Sequence, residues 1–248
     1  MHKETTSFFS RELNREMPLS IYGHGGKSCV VFPCQDGRHM DFEGFGMVDT
    51  LSPWINAGRL RLFCVDSIDR ESWSAAHQHP RYSIEMQEKY FHYLTDELVP
   101  FIYDRAWSDD PIMTFGTSMG ACHAAIAQLR RPDLFDAAIA LSGFYKADVF
   151  FGDYMDDLVY DNSPCDFLRG MPRSHHYMPL YHKSRLYLCI GQGRWEETLL
   201  PSNHEINQLL IEKGLPHRVD FWGYDVDHDW PWWHRMAGYF MDKEIPLG

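Results

Sequence analysis

The stretch PIMTFGTSMGACHAA, Pro111–Ala125, passes from an apolar run through a serine flanked by glycines into a series of small residues. The apolar run reads as a buried strand, and ACHAAIAQLRR reads as the helix that follows it. Between them, Gly116-Thr117-Ser118-Met119-Gly120 has the G-x-S-x-G spacing. A serine on a sharp strand-to-helix turn lies close to both backbones. Glycines two residues before and after it remove the side chains that would collide there. The helix N-terminus adds partial positive charge near the serine oxygen. The same spacing also occurs in ordinary loops, so the surrounding pattern decides its meaning.

That pattern is α/β. Near the N-terminus, TSFFSREL and MPLSIYGH alternate apolar and polar residues as half-buried antiparallel strands do, and GHGG (23–26) reads as a hairpin turn into SCVVFP. Four short apolar runs follow, RLFCV (61–65), PIMTFG (111–116), AAIALSG (137–143) and RLYLCIG (185–191). Each suits a strand buried on both faces of a parallel sheet. Helical patterns separate them: Tyr90, Leu94, Leu98 and Ile102 form one stripe within Ser83–Tyr103, and Ile206, Leu209 and Leu210 form another within Asn203–Lys213. A last strand, HRVDFWGY, precedes an aromatic-rich helix from about Trp230. The expected architecture is a single α/β domain over residues 1–248. Its mostly parallel sheet has antiparallel N-terminal strands and helices on both faces. Residues 146–183 break the alternation and read as a cap or insertion that shapes substrate choice.

Composition narrows the function. With 23 Lys and Arg against 35 Asp and Glu, the formal net charge is -12. This argues against nucleic acid or an anionic membrane as partner. Six scattered cysteines without a C-x-x-C, and an N-terminus without an apolar leader, make a reducing, cytoplasmic location the expectation. HQHP (77–80) and SHHY (174–177) lack metal-ligand spacing, so neither a metal nor a cofactor is expected.

A serine nucleophile needs a base, and on this architecture the order is serine, acid, histidine. Beyond RLYLCIG, His228 lies in the loop between the last strand and the last helix, where an imidazole can reach the sheet edge at Ser118. His234 is the lesser candidate, one turn into the helix. Glu196 and Glu197 are the carboxylates in QGRWEE, with Glu196 favoured and Glu197 the alternative. The oxyanion would be held by the backbone N–H of Met119 and by that of Cys34 or Gln35, in the loop after SCVVFP. Trp73 and His77, after RLFCVD, are candidate substrate-binding residues on the edge where substrates enter.

Together, GTSMGA, FCVDSIDRESW (63–73), DELVPFI (96–102), ALSGFY (140–145) and GYDVDHDWPWW (223–233) resemble the esterase D family of α/β hydrolases. That family includes S-formylglutathione hydrolases, feruloyl esterases and enterochelin esterases. The resemblance runs over nearly the whole chain and implies an α/β-hydrolase fold, with Ser118 as nucleophile and His228 as base. Many relatives carry Gly-x-x-Asp where this chain has Arg194 followed by WEE, so the acid is displaced towards Glu196. The expected activity is hydrolysis of a small-molecule carboxylic ester through an acyl-enzyme. Acyl transfer on the same triad, or a silent binding member of the fold, are the alternatives. Folds of this kind commonly form weak dimers, which leaves a homodimer open.

Overall fold

The computed structural model describes residues 1–247. Eight strands form one sheet: β1 (Lys3–Ser10), β2 (Arg15–Tyr22), β3 (Lys27–Phe32), β4 (Leu60–Val65), β5 (Ile112–Thr117), β6 (Phe135–Leu141), β7 (Arg185–Ile190) and β8 (Arg218–Phe221), in the spatial order β1-β2-β4-β3-β5-β6-β7-β8. β1–β2 and β2–β4 are antiparallel, and every later pair is parallel. This is an α/β-hydrolase fold.

One connection differs from the sequence reading. β2 does not pair with β3 across GHGG; it pairs with β4, which lies between the two. Residues 23–26 therefore cross the end of β4, and Lys27 N–H bonds the Arg59 carbonyl at 2.9 Å. The turn residues specify a change of direction but not a neighbour. β4 is buried at five of its six positions and takes the interior place between β2 and β3.

Alternate residues of the strands feed two cores. On one face, Cys29, Val31, Leu62, Phe115 and Ile139 pack against α4 (Trp230–Glu244) through Trp233, Met236 and Phe240. On the other, Val30, Phe32 and Phe63 pack against α1 (Pro80–His92) and its continuation, and Ala138 and Leu186 pack against α2 (Met119–Arg130) and α3 (Leu200–Lys213). Helix α1 runs on through a π-helical turn at Tyr93–Leu98 into Val99–Ala106. The strict four-residue repeat of Tyr90, Leu94, Leu98 and Ile102 accounts for that turn. On a regular α-helix each four-residue step drifts about 40°, whereas a wider π turn keeps all four on the core side. All four are buried.

Helix α2 is central, with every residue from Met119 to Leu129 buried. Its alanines bring it against β5 and β6. Between β6 and β7 the chain makes four short helices, Asp148–Phe151, Asp157–Asp161, Pro164–Gly170 and Met178–Tyr181. No helix among the described residues is long and apolar enough to cross a membrane.

Candidate active site

Ser118 stands between β5 and α2 with φ 56° and ψ -124°, a left-handed conformation that costs a non-glycine residue energy. The turn closes around it. A Cβ on Gly116 would lie 2.1 Å from the Gly120 carbonyl, and one on Gly120 would lie 2.3 Å from the Phe32 carbonyl oxygen. The glycine spacing therefore answers a steric demand, the close approach of α2 to β5 and β3.

His228 lies one residue before the N-cap of α4. Asp229 caps that helix by accepting the Trp230 N–H at 2.7 Å. The His228 Nε2 is 2.9 Å from Ser118 Oγ, and its Nδ1 is 3.0 Å from Glu196 Oε2. The edge of the imidazole meets the Trp233 ring, with centroids 4.9 Å apart. His234 instead hydrogen-bonds Thr50 Oγ1 through Nδ1 at 2.6 Å.

Glu196 is fully buried, and its partners account for that. Oε1 accepts from Ser142 Oγ at 2.5 Å and from the Gly191 N–H at 3.4 Å, while Oε2 faces His228. Ser142 in turn accepts the Trp233 indole N–H at 3.0 Å. Glu197 is exposed. The sequence reading overlooked Ser142, although it lies in the ALSGFY stretch used for the resemblance; its left-handed φ of 55° is visible only in the structure.

The loops that carry Glu196 and His228 are tied together. Arg194 at 76% side-chain exposure forms an ion pair with Asp227, its N–H and guanidinium donating to the carboxylate at 2.8–3.0 Å. The guanidinium bond holds the Asp227 carboxyl below the usual carboxylate range. Arg194 also accepts the His228 N–H at 3.0 Å through its carbonyl. Arg194 thus braces the loop, and the carboxylate facing His228 comes from Glu196.

Ser118 and His228 open into a cleft of about 290 Å³, walled by Phe144, Val149, Phe150, Trp195 and Leu199, with Gln35 and Met119 beside the serine. Cys34 is turned away: its Sγ lies 3.2 Å from Thr117 Oγ1, and burial pushes the thiol up to about 11. Two expected substrate contacts fall elsewhere. Trp73 is only 3% exposed and packs behind the cleft against Phe144 and Phe150. His77 is on an exposed turn and does not line the cleft. A larger cleft of about 660 Å³, lined by Asp36, Arg38, Asp66 and Arg70 among others, contains no histidine, cysteine or lysine. Ser7 Oγ there donates to the Glu16 carboxylate at 2.9 Å, with no imidazole in the lining.

The esterase family model, described as "Putative esterase", matches residues 10–236. The chain belongs to this family. Among solved structures, this family member is similar to a ferulic acid esterase at 17% identity, covering 99% of this chain and 97% of that one with a TM-score of 0.75. It is similar to an S-formylglutathione hydrolase from Agrobacterium tumefaciens at 15% identity, covering 99% and 95% with a TM-score of 0.74. It is also similar to FphF, a fluorophosphonate-binding serine hydrolase of Staphylococcus aureus, at 15% identity, covering 98% of both chains with a TM-score of 0.69. No curated protein sequence matches the chain.

The contact at Gly120 yields a stability prediction. Gly120→Ala forces its Cβ against the Phe32 and Pro33 carbonyls. It should cost about 2 kcal/mol, or roughly 4–8 °C in thermal midpoint for a domain of this size. An unchanged midpoint in a thermal melt would contradict the close approach.

Proposed function

We propose that the protein is a serine carboxylic ester hydrolase working through a Ser118–His228–Glu196 triad. The observation that carries this reading is the continuous line of hydrogen bonds from Glu196 Oε2 through the imidazole to Ser118 Oγ, at 3.0 and 2.9 Å. Membership of the esterase family supports the reaction class.

In the first step His228 Nε2 takes the Ser118 proton as Oγ attacks the ester carbonyl carbon. Glu196 holds the Nδ1–H and stabilises the imidazolium that forms. Ser142 and the Gly191 N–H keep the carboxylate aimed at His228. The N–H groups of Met119 and Gln35 receive the developing oxyanion. Gln35 is preferred over Cys34 because it lines the cleft beside Ser118. Collapse of the tetrahedral intermediate breaks the ester C–O bond, and the departing alcohol leaves with the proton from Nε2. Water, deprotonated by His228, then attacks the acyl-enzyme and releases the acid and Ser118.

The cleft walls favour an uncharged acyl group. Phe144, Val149, Phe150, Trp195 and Leu199 are apolar, and His228 is the one titratable side chain in the lining. A carboxylate or phosphate on the acyl chain would lose water there without gaining a cation. All six cysteines are unpaired, which supports a reducing, cytoplasmic setting.

A panel of p-nitrophenyl esters from acetate to octanoate, with a hemisuccinate as the charged member, tests both parts. Turnover of the apolar esters should fall roughly 10³-fold or more in Ser118→Ala, and the hemisuccinate should be hydrolysed at least about tenfold more slowly than butyrate. A Ser118→Ala variant that keeps most of its activity sinks the nucleophile. The acid is settled by a pair of variants. Glu196→Gln should lower turnover roughly 10³-fold or more, while Glu197→Gln should stay within about twofold of wild type. The reverse result would assign the acid to Glu197.

A further inference from the structure

The mechanism leaves unused a buried polar pair. Asp69 and His123 have side chains exposed by 0% and 1%, and His123 Nε2–H donates to Asp69 Oδ1 at 2.9 Å. Phe32 stacks on the imidazole, and the rings of Tyr90 and Trp73 meet it edge-on. Enclosing a carboxylate and an imidazole among aromatic rings is costly, and an apolar pair of similar volume would often stabilise the fold as well or better. Stability alone does not account for the pair.

What the pair joins is informative. His123 is on α2, five residues after Ser118 and four after Met119. The second oxygen of Asp69, Oδ2, accepts the Asp36 N–H at 3.2 Å. Asp36 follows Gln35 directly and has a left-handed φ of 58°. Two more bonds fix the same loop from the Asp69 side: the Ser74 N–H donates to the Asp69 carbonyl at 2.7 Å, and Gln35 Nε2 donates to Ser74 Oγ at 2.8 Å. The Gln35 N–H itself has no partner within the chain among the described residues. A single carboxylate thus grips the helix that supplies one oxyanion donor and the loop that supplies the other.

We propose that Asp69 and His123 are positioning residues that set the separation and direction of the Met119 and Gln35 N–H groups. The proposal rests on the serine-hydrolase reading above. Neither side chain lines the cleft beside Ser118. Their effect therefore belongs to the transition state, where the carbonyl oxygen becomes an anion, and not to ground-state binding.

The test compares Asp69→Asn, His123→Ala and His123→Gln with wild type, using p-nitrophenyl butyrate and phenylboronic acid, which forms a tetrahedral adduct on a serine oxygen. An asparagine has one carbonyl oxygen where the carboxylate offers two acceptors, so it cannot hold both N–H groups. A glutamine can still donate to Asp69 from the place of the imidazole Nε2. Asp69→Asn and His123→Ala should lower kcat roughly 10- to 100-fold with KM within about twofold. Boronic acid affinity should fall by a similar factor, and His123→Gln should recover most of both losses.

Unchanged kcat in folded Asp69→Asn overturns the proposal. So does a loss that appears in KM and leaves boronic acid affinity intact, or a His123→Gln variant no better than His123→Ala. Should Asp69→Asn fail to fold, the two His123 variants decide by the same criteria. A folded wild type that neither hydrolyses the ester nor binds the boronic acid overturns the underlying reading, and this proposal with it.

Discussion

The contact of Gly120 with the end of β3 is the constraint on which the rest of the site depends. Helix α2 can approach Phe32 and Pro33 only because residue 120 has no side chain, and it can follow β5 so abruptly only because residue 116 has none. That approach forces Ser118 into its left-handed turn and points the N-terminus of α2 at the serine. It also brings the loop after β3 alongside Met119, so that Gln35 and Met119 line one cleft. Replacing either glycine disturbs Ser118, helix and loop together.

Around this turn the protein buries polar groups in pairs. Glu196 is satisfied by Ser142, the Gly191 N–H and His228, and Ser142 in turn by Trp233. Asp69 is satisfied by His123 and by the Asp36 N–H. Each carboxylate comes from a loop at the end of a parallel strand and bonds to segments distant in sequence. A buried carboxylate with one partner removed is strongly destabilising, so each network holds several loops in a single arrangement. Arg194 and Asp227 add an exposed brace between the loops that carry Glu196 and His228. Exposed pairs of this kind contribute little to stability, and this one serves to align the two loops.

Much of this was legible in the chain. Apolar runs of strand length, separated by helical stripes, indicated the parallel sheet, and the strand-to-helix context raised G-x-S-x-G above a chance match. The placement of His228 beside Ser118 was legible because it falls between the last strand and the last helix. The carboxylate that faces His228 was only narrowed to two neighbours, since the left-handed φ of 65° at Trp195, just before them, is not visible in the sequence. The partner of β2 was misread because glycine-rich turns carry no information about which strand lies alongside. Trp73 was placed on the correct sheet edge but on the wrong side of the cleft wall, where Phe144 and Phe150 cover it. Ser142, Asp69 and His123 could not be singled out in the chain, because their contacts are tertiary, each between residues 54 positions apart in sequence.

The most direct measurement of the central claim is the covalent labelling of the folded protein by a fluorophosphonate, followed by peptide mapping of the adduct. One adduct is expected, on Ser118, because it combines an imidazole at 2.9 Å to take its proton, a helix N-terminus to receive the phosphoryl oxygen and an open cleft. Ser20, 2.8 Å from His39 Nδ1, is by contrast buried within β2. An adduct on a different residue, or none on a protein shown to be folded, would contradict it.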